Sequence, residues 1–323
     1  MVSQVLSLLL FVIAGGAGLV AISFLVEALR RVPPAPERLR WAPEIPIRYS
    51  QIDGHRLRWV KAGQGPALVL LHTLRTQLDL FEKVLPELSR SFTVYALDYP
   101  GHGYSDIPDA RYDAAFFAGA VEAFLDDQDL HDVTLAGVSI GGSISLILAA
   151  RNNPRLSRVA AINPYDYAAG RGIARSTWIG PMLFAALDIP IVGETVMRLR
   201  SMPIIRAVLE GGVADPASIP PALLREIYLA GNRRRHYRAF ISLMRNSASW
   251  EEATAAYAGI TIPVLLVWGD QDWATPTERE HDRRIIPGAE MVSLERGGHF
   301  LPLDRPDEVM KHLQKFSMES LRR

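Results

Sequence analysis

From Val5 to Val26 the chain carries no charged residue, and only Ser7 and Ser23 break the apolar run. As a helix rising ~1.5 Å per residue, such a run reaches roughly 33 Å, enough for a bilayer core of about 30 Å. A cleaved secretory signal would want a Lys or Arg ahead of the apolar stretch, and Met1 to Gln4 offers none. A retained single-pass membrane helix is therefore expected within residues 1–31. Arg30, Arg31, Arg38 and Arg40 follow it, so the body of the chain is expected on the cytoplasmic side. Pro33-Pro34-Ala35-Pro36 reads as a stiff spacer over residues 32–45.

Beyond the spacer the pattern becomes one of short strands and helices. Ile47 to Ile52 and Leu57 to Lys61, joined across Asp53-Gly54, predict a hairpin at an antiparallel sheet edge. Continuous apolar runs bounded by turn residues follow, as expected of strands buried on both faces of a parallel sheet. They are Ala67 to Leu71, Thr93 to Leu97, Val133 to Ala136, Val159 to Ile162, Val264 to Trp268 and Met291 to Leu294. Helical stretches such as Leu78 to Leu88 and Ala114 to Leu125 separate most of them. This alternation predicts an α/β fold with a mostly parallel twisted sheet flanked by helices. Between Ile162 and Val264 the patterning is helical and proline-rich with no clear strand. The expected organisation is a core over residues 46–163 and 259–323, interrupted by a helical cap over 164–258.

Composition narrows the function. Thirty-five Lys and Arg balance thirty-five Asp and Glu, which argues against a nucleic-acid partner. With 49% apolar residues the chain can bury a substantial core. It has no cysteine, which excludes disulfides, a thiolate nucleophile and zinc–thiolate sites. No His or carboxylate cluster has metal-ligand spacing, and neither a metal nor a cofactor is called for.

The chemistry begins at Gly137-Val138-Ser139-Ile140-Gly141-Gly142, between an apolar strand and an apolar helix. A serine on so sharp a strand-to-helix turn has strained backbone angles, and residues two positions away must be very small. The turn lifts the hydroxyl to the positive end of the following helix. A hydroxyl is a poor nucleophile without a base to take its proton. Trp268-Gly269-Asp270-Gln271-Asp272 and Arg296-Gly297-Gly298-His299-Phe300 each follow a strand, where open α/β sheets place active sites. The order Ser, Asp, His is the one associated with this elbow.

These motifs resemble those of α/β-hydrolases with a cap domain, over the chain from about Ile47 to the C-terminus. Leu70-Leu71-His72, Asp98-Tyr99-Pro100-Gly101-His102-Gly103-Tyr104-Ser105 and Gly298-His299-Phe300-Leu301-Pro302 are further points of likeness. The resemblance implies Ser139 as nucleophile, His299 as general base and then acid, and Asp272 as the orienting carboxylate. Asp270 is the nearest competitor for that last role, and Asp166 an outside candidate. His72 and His102 are expected to be structural, and Asp98 to tie down the loop after it. Of the oxyanion donors, one is expected from the N–H of Ile140 and the other, by position, from Leu74. Here the loop departs from the family's usual His-Gly, reading His72-Thr73-Leu74-Arg75. A β-branched Thr73 would be strained if its position needed positive φ, so the loop is expected to take a somewhat different path. Arg75 is expected to face solvent, with the substrate as the alternative, and the cluster Arg233-Arg234-Arg235 with Arg238 to form a solvated helix face.

Serine at the elbow implies acyl transfer, whereas family members that open epoxides or remove halogens use aspartate there. The expected activity is hydrolysis of a carboxylic ester, a small molecule that is apolar or lipid-like. The alternatives are a carbon–carbon bond hydrolase, a cofactor-free perhydrolase, and a non-catalytic binding module of the same fold.

Overall fold

The computed structural model describes residues 2–318, and the side chains of Val2, Ser3, Leu8, Leu9 and Val12 lie outside the described set. One eight-stranded sheet organises the molecule: β1 (Ile47–Ile52), β2 (His55–Ala62), β3 (Ala67–Leu71), β4 (Thr93–Leu97), β5 (Val133–Val138), β6 (Leu156–Ile162), β7 (Val264–Gly269) and β8 (Glu290–Leu294). Their spatial order is β1-β2-β4-β3-β5-β6-β7-β8. The first two pairings, β1 with β2 and β2 with β4, are antiparallel, and every other neighbour is parallel. The hairpin turns where the sequence places it. Asp53 and Gly54 both take positive φ, 50° and 77°, the conformation of a type I′ connection that matches strand twist.

Every residue of β5 and of β7 is buried, which is why those strands read as unbroken apolar runs. The helix Ile140–Ala150 packs on β5 and β6 and is buried along nearly its whole length. Each fully buried Leu or Ile here stabilises the fold by about 1.5–3 kcal/mol before conformational entropy is charged against it. Between β6 and β7 the described residues contain only helices and turns, among them Gly180–Ala186, Val192–Arg198, Met202–Glu210, Pro221–Ala230 and His236–Arg245. The carboxyl ends of β3, β5, β6, β7 and β8 lie side by side along one edge, and the loops leaving them make the site.

Three expectations need correction. Leu78 to Leu88 is not one helix but a 3-10 turn, Leu78–Phe81, and a short helix, Leu85–Leu88. Pro86 accounts for the break, since it lacks an N–H and fits only the first turn of a helix. The stretch after residue 36 does not hold the body at a distance. Leu39, Ala42 and Ile45 are buried in the core, and the Trp41 indole donates to Asp79 Oδ1 at 2.9 Å.

The third correction concerns the N-terminal run. It forms a single helix, Val2–Ala28, but among the described residues no helix is long and apolar enough to cross a membrane. The last turns of this helix dock on the cap helix Val192–Arg198. Ser23 is buried and accepts from Arg198 Nε at 3.0 Å, while Arg198 also lies 3.9 Å over the Phe24 ring. Glu27 accepts from Arg200 at 2.7 Å and from Arg30 at 3.0 Å. Arg30 donates in turn to the carbonyls of Arg198 and Arg200. These groups are largely removed from water, so the network ties helix to cap through charge-assisted bonds rather than weak surface pairs.

Candidate active site

Gly137 and Gly141 make the turn around Ser139 sterically possible. A Cβ on Gly137 would lie 2.1 Å from the Gly141 carbonyl, and one on Gly141 would lie 2.3 Å from the Leu71 carbonyl oxygen. Ser139 itself takes φ 59° and ψ −122°, a conformation that L-residues rarely adopt. Its hydroxyl is buried and has no hydrogen-bond partner within the protein, and the same is true of Nε2 of His299.

The other ring nitrogen of His299, Nδ1, is 2.6 Å from Asp272 Oδ2, and both side chains are sealed from solvent. Asp272 is anchored in turn: its Oδ1 accepts the Ala274 N–H at 2.7 Å and lies 3.4 Å from the Tyr167 hydroxyl. The competitor Asp270 does different work, accepting the Gly297 N–H at 3.1 Å and so bracing the loop that carries His299. Serine and histidine do not yet touch, a separation common in unliganded sites, where the contact tightens once substrate is bound.

The loop after β3 carries no positive φ at Thr73. Positive φ falls on Arg75, at 57°. Thr73 is held instead by its carbonyl, which accepts from the Thr76 N–H at 3.3 Å and the Thr76 hydroxyl at 2.9 Å. His72 Nδ1 lies 2.7 Å from the same oxygen, while His72 Nε2 accepts the Tyr99 N–H. That pair of bonds places the His72 proton on Nδ1. Burial pushes both His72 and His102 down to about 3, so both are neutral at physiological pH and act as loop braces. Asp98 is fully buried and accepts the N–H groups of Leu78 at 2.7 Å and Tyr104 at 2.8 Å.

Two arginines expected in solvent are not there. Arg233 donates to the Ser105 carbonyl at 2.7 Å and to that of His102, bracing the Gly101–Ser105 turn, while Arg234, Arg235 and Arg238 are exposed. Arg75 turns inward against the cap, with its guanidinium carbon 5.1 Å from the Phe240 ring centre.

Sequence reasoning also passed over two side chains that position the histidine. Asn163, buried at the end of β6, donates to the carbonyls of Gly298 at 2.9 Å and His299 at 3.0 Å. It accepts the Gly269 N–H at 2.8 Å, so one amide clamps the β7 and β8 loops together. Trp273 stacks on the His299 ring at 3.9 Å with an 18° tilt. An Asn-Pro pair at a strand end was the only signal for the first, and adjacency to Asp272 the only one for the second.

Asp166 is not near the histidine's partner but forms a separate buried pair with Asp282, capped by the Tyr257 hydroxyl at 2.8 Å. Burial raises Asp166 to about 6, and burial together with Asp166 raises Asp282. A carboxyl raised by folding keeps its proton in the folded state while the unfolded chain has lost it. Stability from this pair is therefore present below about pH 4 and falls as pH rises through about 6. Asp282→Asn, which cannot ionise, is expected to lose less stability than the wild type as pH rises between those limits. Melting temperatures of both proteins across that range check this, and a difference independent of pH would contradict it.

Two apolar cavities that share lining residues open beside the site. One is lined by Thr73, Leu74, Trp273, Phe300 and the apolar side chains of Ile205 and Val208. The other lies among Leu183, Phe184, Leu187, Met197, Arg200 and Phe240 of the cap. Arg75, Ile173, Ile205 and Val208 border both.

Residues 68–312 match a family described as the alpha/beta hydrolase family. Over 278 residues the chain is 29% identical to a haloalkane dehalogenase of Psychrobacter cryohalolentis, with 81% of this chain and 87% of that protein covered. Among solved structures it is similar to an enol-lactonase from Burkholderia xenovorans LB400, with a TM-score of 0.67 and 25% identity over 84% of this chain and 100% of the other. It is similar also to Cfl2 from Burkholderia cenocepacia, with a TM-score of 0.75 and 23% identity over 88% and 99% of the two chains. That last likeness speaks to the fold alone.

Proposed function

The chain belongs to the α/β-hydrolase family, its relatives include hydrolases, and on that footing we propose that it cleaves a carboxylic ester through Ser139, His299 and Asp272. The observation that carries this reading is the 2.6 Å bond from His299 to Asp272, set beside a strained serine whose hydroxyl faces no protein partner. Asp272 fixes the tautomer that leaves Nε2 free to accept a proton. As Ser139 Oγ attacks the carbonyl carbon, Nε2 takes the hydroxyl proton and the carbonyl oxygen gains charge. The N–H groups of Ile140 and Leu74 are the donors assigned to that oxygen, and the Leu74 N–H has no other acceptor among the described residues. Collapse of the intermediate expels the alcohol, protonated by His299, and leaves an acyl-serine that water resolves by the same steps in reverse. A serine at the elbow favours this route over the aspartyl-ester chemistry of a dehalogenase.

The apolar lining of both cavities supports an acyl group of hydrocarbon character. Each buried CH₂ contributes about 0.8 kcal/mol, so kcat/KM on p-nitrophenyl esters is expected to rise at least tenfold between acetate and hexanoate. Failure to hydrolyse any ester of the series would overturn the assignment.

The helix Val2–Ala28 is proposed to associate with a membrane, with the hydrolase on the cytoplasmic side. Exposed Leu6, Leu10, Phe11, Ile13 and Ile22 along it, followed by Arg31, Arg38 and Arg40, support that reading. Carbonate extraction of a membrane fraction should leave the protein in the pellet, and added protease should not reach the body in intact cells. Release by carbonate would refute the association, and digestion from outside would refute the orientation.

A further inference from the structure

Arg75 presents a partly buried cation with no carboxylate to answer it. Its Nε and Nη1 are sealed from solvent and bond to no protein atom. The charged groups acting on it are themselves cations, Arg200 and Arg30. The carboxylate near them, Glu27, is already engaged by those same two arginines. His236 nearby is no help, since burial and Arg75 itself hold it neutral, and its Nδ1 is also without a partner. The Phe240 ring face supplies only a weak substitute for an acceptor.

Removing a guanidinium from water without a counter-ion costs several kcal/mol. The chain bears part of that cost at a residue held in left-handed backbone, one position beyond the assigned oxyanion donor Leu74. Arginine's planar fork suits a carboxylate, with two parallel donors for two oxygens. Apart from Arg200 and Thr73 the remaining walls of both cavities are hydrocarbon, so an anion reaching Arg75 would have to arrive on an apolar chain.

We propose that Arg75 binds a carboxylate at the far end of the substrate's acyl chain, so that the preferred substrates are half-esters of dicarboxylic acids. The inference rests on the serine-hydrolase reading and adds a substrate class to it. Carboxylate binding would complete the Arg75 fork. The scissile carbonyl would lie toward Ser139, and the hydrocarbon between them would fill the cavity that runs past Leu74.

The test compares p-nitrophenyl half-esters of diacids from succinate to sebacate with the same compounds capped as methyl esters. At the best chain length kcat/KM should favour the free acid by roughly 100-fold, and Arg75→Met should bring that ratio near unity. A wild type that prefers the methyl esters, or an Arg75→Met enzyme with the ratio intact, would overturn the proposal. A second arm needs no turnover and no change at Arg75. Calorimetry on Ser139→Ala should show the half-amide of the best diacid binding at least tenfold tighter than its methyl ester, and equal binding would overturn the proposal. Should the wild type hydrolyse no ester at all, the serine-hydrolase reading fails while this binding arm still decides the role of Arg75.

Discussion

Asp272→Asn is expected to lower kcat on the best ester by about 10⁴-fold while leaving the fold intact. The carboxylate receives the Nδ1 proton of His299 at 2.6 Å, and an amide can present its NH₂ to that nitrogen instead. The imidazole would then carry its proton on Nε2, where it cannot accept one from Ser139. Loss of the negative charge would also remove stabilisation of the imidazolium formed during attack. Asp270→Asn is the matched control, because the amide oxygen can still accept the Gly297 N–H at 3.1 Å. Its kcat should change by less than about tenfold, since that exchange leaves the Nδ1 partner in place. Steady-state kinetics of the two variants on one ester check the assignment, and a larger loss at Asp270 would reverse it.

Asp98→Ala should be the most destabilising single change outside the catalytic group, costing about 4 kcal/mol. Asp98 holds Arg58, which is fully buried between Asp98 at 3.2 Å and Asp79 at 3.0 Å. Alanine would leave the N–H groups of Leu78 and Tyr104 with no acceptor in the interior and reduce Arg58 to one counter-ion. Each unsatisfied donor costs on the order of 1–3 kcal/mol. The two freed segments are the end of the oxyanion loop and the Gly101–Ser105 turn, so activity should fall along with stability. Thermal unfolding would show a drop on the order of 10 °C. A drop of one or two degrees would mean that Asp79 alone satisfies the buried arginine.

Strands β3 to β7 were visible in the sequence because burial on both faces writes itself as apolar runs, and β1 and β2 because Asp53-Gly54 marks the turn between them. The elbow was visible because its glycines answer a local clash, and the Asp and His because each follows a strand end. What stayed hidden is polar and long-range. Nothing periodic marks Asn163 as the clamp between two loops, and Arg233 in a run of three arginines looks like an exposed face. Arg75 was misread for the same reason: a lone charged residue in a loop is normally solvated, and only the cap folding over it takes it from water. The N-terminal run shows the converse. Its helix was legible, whereas the seating of Ser23, Glu27 and Arg30 against Arg198 and Arg200 depends on partners more than 160 residues away.

The central claim is that Ser139 is the activated nucleophile, and covalent capture tests it most directly. The intact protein treated with a fluorophosphonate should gain one phosphonyl group, mapped by peptide mass spectrometry to Ser139, and the Ser139→Ala protein should gain none. Labelling that persists in the variant, or that maps to another residue of the wild type, would contradict the account.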